Sequence, residues 1–154
     1  METSKEIAAL HDRLQDYMNS NGLRSTAQRR AVADIFFNTD GHLSIEDLLQ
    51  LVRVQEPRVG YATVYRTLKL MTEAGIAYER RFGDGMSRYE VAHEDEHHDH
   101  LICTECGLIV EFENEEIERL QESLAEVEGF ILTRHVHELY GKCVDAKSCK
   151  RRRK

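Results

Sequence analysis

Apolar side chains in the first half of the chain recur at helical spacing in four blocks, each closed by residues that stop a helix. Ile7, Leu10, Leu14, Tyr17 and Met18 share one face, and Asn21-Gly22 ends the pattern. Ser25-Thr26-Ala27-Gln28 predicts a capping box at the head of a second helix with Ala27, Ala31, Val32, Ile35 and Phe36 as its apolar stripe; Asn38-Thr39-Asp40-Gly41 breaks it. Ser44 with Asp47 starts a third helix through Leu48, Leu49 and Val52. It must end before Pro57, whose ring crowds the preceding residue out of the α region. A fourth begins near Tyr61, places Val64, Leu68 and Met71 on one face and stops at Gly75; Arg66 and Lys69 lie elsewhere on its surface, with no acid before Glu73.

The pattern then changes. Two β-prone runs, 76–82 and 86–91, flank Gly83-Asp84-Gly85, which predicts a hairpin with a three-residue connection. Helices followed by a small hairpin spell a winged helix-turn-helix. In that fold the helix before the wing is the candidate for the major groove, and basic residues of the wing and flanking helices meet phosphate. Arg80, Arg81 and Arg88 sit on the expected wing.

Ala92-His93-Glu94-Asp95-Glu96 is polar and acidic, as expected of a hinge. Beyond it, 101–103 and 108–112 are expected as short strands, 115–128 as a helix with Ile117, Leu120, Leu124 and Val127 on one face, Gly129 as its stop, and 130–140 as a long third strand. A β-β-α-β unit below roughly 70 residues buries too little apolar surface to stand alone, so a metal staple and dimerisation are expected to make up the difference. The expected fold is therefore α+β: an N-terminal winged helix-turn-helix domain (1–91), a hinge (92–96), a small C-terminal α/β dimerisation domain that binds metal (97–149) and a basic tail (150–154).

Charge sharpens this division. The net charge of -7 argues against a nucleic-acid partner, yet residues 1–92 carry 12 Lys or Arg against 13 Asp or Glu, whereas residues 93–154 carry 9 against 15. The first half can therefore present a basic face, and the second is acidic and suited to cations. No long apolar run is available for a membrane span, and no basic segment followed by an apolar one marks the N-terminus as a leader. A cytoplasmic protein with reduced thiols is expected.

The metal chemistry is concentrated in His97-His98-Asp99-His100-Leu101-Ile102-Cys103-Thr104-Glu105-Cys106-Gly107. Cys-x-x-Cys-Gly can form a tight knuckle with both thiolates on one ion, and Cys143 with Cys149 supplies a second pair, which uses all four cysteines. Buried thiols or a redox pair are the bland alternative, and two separated pairs with none left over fit a metal ribbon better. If the run before Cys103 is extended, His97 and Asp99 face one side and His98 and His100 the other, so one strand can feed two metals.

Gly60-Tyr61-Ala62-Thr63-Val64-Tyr65-Arg66-Thr67-Leu68, the wing, the His97–Gly107 run and Leu139-Tyr140-Gly141-x-Cys143, in one colinear order from about Leu10 to Cys149, together resemble the ferric uptake regulator family. The resemblance implies a dimeric, metal-dependent transcriptional repressor of double-stranded DNA operators, and leaves open whether dimers pair into tetramers. It implies structural Zn2+ on Cys103, Cys106, Cys143 and Cys149. It places a regulatory ion, Fe2+ with Mn2+ or Zn2+ as alternatives, on His42, Glu90, His98, His100 and Glu111, and an additional ion on His97, Asp99, Glu118 and His135. Arg24, Tyr61, Thr63, Tyr65 and Arg66 fall on its DNA-binding positions. Glutamate at 111, where peroxide-sensing members carry aspartate, tilts the expectation toward iron. The six-residue step from Cys143 to Cys149 and the basic tail depart from the family's pattern. His11, His93 and His137 gain no such assignment, although His137 shares a strand face with His135 if both are extended and is then an alternative ligand.

Two rival classes remain: a metallohydrolase, for which no nucleophile motif or substrate pocket is apparent, and a zinc-stapled protein-interaction module, which would leave the arginine-bearing fourth helix without a purpose.

Overall fold

A computed structural model describes residues 4–92 and 98–145. The chain divides into two compact units, Met1–Glu94 and Asp95–Lys154. His97, Cys149, hinge residues 93–96 and the tail at 150–154 lie outside the described residues.

The first unit contains α1 (Ser4–Ser20), α2 (Ala27–Phe37), α3 (Ile45–Gln55) and α4 (Tyr61–Glu73), followed by the hairpin β1 (Ala77–Arg81) and β2 (Ser87–Val91). Its core is drawn from every one of these helices: Leu14, Val32, Phe36, Leu48, Val52, Val64, Leu68 and Met71 are all buried, joined by Ile76 and Tyr89 from the hairpin side. This is a winged helix-turn-helix. Ser44 caps α3 with the reciprocal box expected of it, its side chain accepting from Asp47 N while Asp47 accepts from the Ser44 backbone. The box expected at Ser25 does not form. Thr26 is the cap of α2, and its hydroxyl accepts from Arg29 N at 3.1 Å. The third helical residue is then Arg29, whose guanidinium has no acceptor to close the box.

The wing departs from expectation at its tip. The last paired residues are Arg81 and Ser87, so five residues connect the strands rather than three. Phe82 turns inward and is buried, Gly85 adopts φ +75 and donates its N–H to Phe82 O, and Asp84 accepts from Met86 N. The Leu43–Tyr89 bridge, with N–H···O distances of 2.9 and 2.8 Å, ties the segment before α3 to β2.

The second unit holds β3 (Asp99–Cys103), β4 (Ile109–Phe112), α5 (Glu115–Val127) and β5 (Glu138–Gly141). β3 is central, antiparallel to β4 and parallel to β5. The long third strand expected over 130–140 is thus a short one: β3 offers partners only to 138–141, while Phe130, Ile131 and Val136 stay exposed despite their strand propensity. Among the described residues, the buried apolar side chains of this unit are Ile102 and Cys103. α5 buries no residue, and Leu124 on its apolar face is 65% exposed. A core this small accords with the need for a metal staple and a second copy. No helix of the described residues is long and apolar enough to cross a membrane.

Candidate functional site

Three thiols converge beside β3. Cys143 Sγ lies 3.5 Å from Cys103 Sγ and 3.8 Å from Cys106 Sγ. Those separations far exceed a disulfide bond of about 2.05 Å, and they match the edge of a tetrahedron, about 3.8 Å when each sulfur is about 2.3 Å from zinc. The knuckle is built by Gly107, whose φ of +70 lets its N–H return to Cys103 O at 2.9 Å. Backbone N–H groups of Cys106, Glu105 and Cys143 aim at the Cys103 sulfur and pull its pKa down to about 6, which favours the thiolate that a metal needs. The donor set fits a soft divalent cation.

A second cluster gathers on one side of β3. Asp99, Glu118 and His135 each present a ligand atom within 4.8 Å of the others. His135 Nε2 is 3.5 Å from Asp99 Oδ1 and 3.4 Å from Glu118 Oε1. α5 supplies Glu118 one turn in from its Asn114 cap, which accepts from Glu116 N and Ile117 N. His137, which the sequence left without an assignment, also reaches Asp99: its Nδ1 is 3.1 Å from Oδ2. Neither histidine lies on a strand, since β5 begins at Glu138. The shared face expected from strand alternation is therefore replaced by convergence on one carboxylate.

The other side of β3 carries His100, joined by His98 immediately before the strand. Their rings meet edge to face at 5.7 Å, His100 pairs with Glu111 across to β4, and His98 Nε2 is 3.6 Å from Glu111 Oε1. The alternation expected along this run therefore holds for Asp99 against His98 and His100.

In the first unit, His42 and Glu90 face each other because the Leu43–Tyr89 bridge sets their segments side by side. His42 Nε2 lies 2.7 Å from Glu90 Oε2, with both side chains buried. Arg80 Nε donates to the other oxygen, Oε1, at 2.6 Å. Burial pushes the Glu90 carboxyl up, but the hydrogen bonds and charges of His42 and Arg80 outweigh it and hold the pKa at about 2.

Of the wing arginines expected to meet phosphate, two are committed elsewhere. Arg80 is on Glu90, and Arg88 is buried, with its NH2 2.6 Å from Asp84 Oδ2 and its guanidinium over the Phe82 ring. Arg81 points from the opposite face and keeps its side chain 77% exposed. On α4, Tyr61, Tyr65 and Arg66 are exposed and Thr63 is half-buried; Arg24 is exposed ahead of α2, its carbonyl accepting from Arg29 NH1 at 2.7 Å. A cleft of about 500 Å³ lies between α4 and the wing, lined by Tyr61, Tyr65 and Lys69 on one side and Glu79, Arg81 and Ser87 on the other. Gly60 begins α4 without a side-chain cap, which leaves first-turn N–H groups suited to an anion. The role of Arg80 was hidden in sequence, since only the register that sets Tyr78 opposite Glu90 brings it within reach, whereas His137 was open there as an alternative ligand.

Comparisons with known proteins bear on the family and the fold. The Ferric uptake regulator family pattern matches residues 20–140. The "Ferric uptake regulation protein" of Campylobacter jejuni subsp. jejuni is 41% identical over 147 residues, covering 94% of this chain and 93% of that protein. A solved ferric uptake regulator of Helicobacter pylori, described as having three functional metal binding sites, superposes with a TM-score of 0.83 at 28% identity over 97% of both chains. A solved zinc-bound manganese uptake regulator gives 0.73 at 42% identity, over 85% of this chain and 98% of that one. With pattern, fold and curated relatives in agreement over most of its length, the chain belongs to the ferric uptake regulator family, whose members are dimeric, metal-responsive regulators of transcription that bind DNA and are not enzymes.

Proposed function

We propose that this protein is a ferrous-iron-responsive repressor that binds a palindromic operator as a dimer in the cytoplasm. The observation that carries the proposal is the division of donors along β3, with Asp99 turned to Glu118 and His135, and His98 and His100 turned to Glu111. Cys103, Cys106 and Cys143, with Cys149 as fourth donor, hold structural Zn2+; Asp99, Glu118 and His135, with His97, hold an additional ion. His98, His100 and Glu111 share the regulatory ion with His42 and Glu90.

A divalent ion on that last set supplies a common centre for imidazole and carboxylate donors, a harder ligand set than four thiolates. His42 and Glu90 belong to 1–94, and His98, His100 and Glu111 to 95–154. Donors that converge on one centre fix the orientation of the two units, so the α4 helices of a dimer would stand at the spacing of operator half-sites, about one helical turn or a multiple of it. Tyr61, Thr63, Tyr65 and Arg66 then meet the major groove and its backbone, with Arg24 toward the minor groove. Occupancy and operator affinity are reciprocally linked, and a coupling of about 1–3 kcal/mol changes affinity roughly 5- to 150-fold. The exposed apolar face of Leu120, Leu124 and Val127 supports dimerisation through the second unit.

A second reading, manganese or zinc as the sensed metal, is supported by the 42% identity to a zinc-bound manganese uptake regulator. Operator binding titrated anaerobically with Fe2+, Mn2+ and Zn2+, alongside metal analysis of the purified protein, separates the two. Iron is expected to drive binding at a lower free concentration than manganese, while zinc, which such donors hold more tightly than either, is judged by the metal analysis of the purified protein. His98→Ala is expected to lose metal-dependent binding while remaining folded, and normal metal dependence in that variant would overturn the assignment of the regulatory site.

A further inference from the structure

We propose that Arg80 sets the metal affinity of the candidate regulatory site, by holding one oxygen of Glu90 so that this ligand offers an ion a single, partly neutralised oxygen. The inference rests on the assignment of His42 and Glu90 to that site. Its physical basis lies wholly within the first unit.

Tyr78 pairs with Glu90 and Arg80 with Arg88, so all four side chains share one face of the hairpin, and Arg80 sits diagonal to Glu90. Its Nε donates to Oε1 at 2.6 Å, while His42 takes Oε2 at 2.7 Å. The guanidinium also lies over the Tyr78 ring, with Cζ 5.4 Å from its centroid, which fixes it between an aromatic face and the carboxylate. Arg88, directly opposite, is engaged by Asp84 at 2.6 Å and does not compete for Glu90. The two arginines are thus divided between two acids.

Carboxylates bind cations through one oxygen or both. With Oε1 retained by Arg80, Glu90 can meet the ion that His42 meets only through Oε2. Arginine does not lose its proton, so the positive charge stays one carboxylate away from the cation at every accessible pH. Like-charge repulsion at that range, with one donor oxygen withheld, lowers affinity by on the order of tenfold. A site weakened in this way releases its ion when supply falls, which suits a sensor better than a store.

The test uses full-length, zinc-replete dimer and Mn2+ as probe, with free Mn2+ counted by electron paramagnetic resonance. Arg80→Met and Arg80→Gln are expected to tighten Mn2+ binding on the order of tenfold, and Arg80→Lys, which keeps the charge, to stay nearer the parent. A residue with only a supporting role would weaken the site when removed. Unchanged or weaker Mn2+ binding in both Arg80→Met and Arg80→Gln, with metal-free melting showing folded protein, overturns the inference. His42→Ala separates the two claims: if it abolishes this Mn2+ binding while the Arg80 variants do not tighten it, the role of Arg80 alone is wrong. If His42→Ala leaves Mn2+ binding intact, the site assignment fails and the role of Arg80 falls with it.

Discussion

His137 Nδ1 lies 3.1 Å from Oδ2 of Asp99, a side chain that is 1% exposed. The other oxygen faces His135 at 3.5 Å, so the carboxylate divides itself between two imidazoles. The His137 carbonyl also accepts from His100 N at 3.1 Å, and its ring meets Phe112 edge to face. This residue therefore touches both strands that carry candidate ligands. Partners that orient a ligating carboxylate without the permanent positive charge that Arg80 brings to Glu90 are commonly worth about 10- to 100-fold in metal affinity. His137→Leu, which keeps apolar packing against Phe112, should weaken the additional site by about that factor and leave the thiol site filled. His137→Asn should restore part of the loss, and competition titration with a chromophoric chelator reads both effects.

The thiol cluster should be separable from the rest of the molecule. Cys106→Ser is expected to cost one zinc per chain and to lower the melting temperature of the second unit, because Ile102 and Cys103 are the buried apolar side chains among its described residues. The helical core around Phe36, Leu48 and Leu68 should persist, since it belongs to the other unit. Zinc analysis with circular dichroism checks this. Loss of all helical signal would contradict independent units.

Asp84 and Arg88 make the wing tip sensitive to acid. The side-chain hydrogen bond from Arg88 holds the Asp84 carboxyl below its usual range, against burial, which pushes it up. A carboxyl lowered in the folded state stabilises above its unfolded pKa, and the benefit is lost as pH falls through the lower folded value. Asp84→Asn should therefore destabilise the first unit at neutral pH by about 1–2 kcal/mol, because it leaves the buried Arg88 charge without its counter-ion. The gap between variant and parent should close in acid below the ordinary carboxylate range. Thermal melts across pH measure it, and a gap independent of pH would show that the ion pair is idle.

Arg66 is exposed on α4, where its side chain is free of any packing duty in the core. Arg66→Ala should weaken specific operator binding by about 1–3 kcal/mol per lost base contact while leaving the dimer and its zinc intact. A gel shift at fixed salt, with size-exclusion chromatography and metal analysis as controls, reads all three. Unchanged operator affinity would remove Arg66 from the interface.

The order and kind of almost every element were legible in the chain itself. Apolar spacing marks the helices through Leu14, Val32, Leu48 and Leu68, Ser44 with Asp47 marks a cap, and Gly75 marks a stop, because these are interactions between residues a turn or less apart. The alternation of Asp99 with His98 and His100 was legible for the same reason, since strand geometry turns successive side chains to opposite faces. What residues do to each other across the fold was not. The long strand expected over 130–140 shrank to Glu138–Gly141, since strand propensity has no effect where β3 offers no partner. Arg80 and Arg88 read as phosphate contacts, until the hairpin register turned one onto Glu90 and the tip loop folded Asp84 onto the other. His137, without an assignment in the chain, meets Asp99 only because parallel pairing of β5 with β3 carries it there. Local spacing determines which donors a strand offers, and long-range register decides which partner each donor keeps.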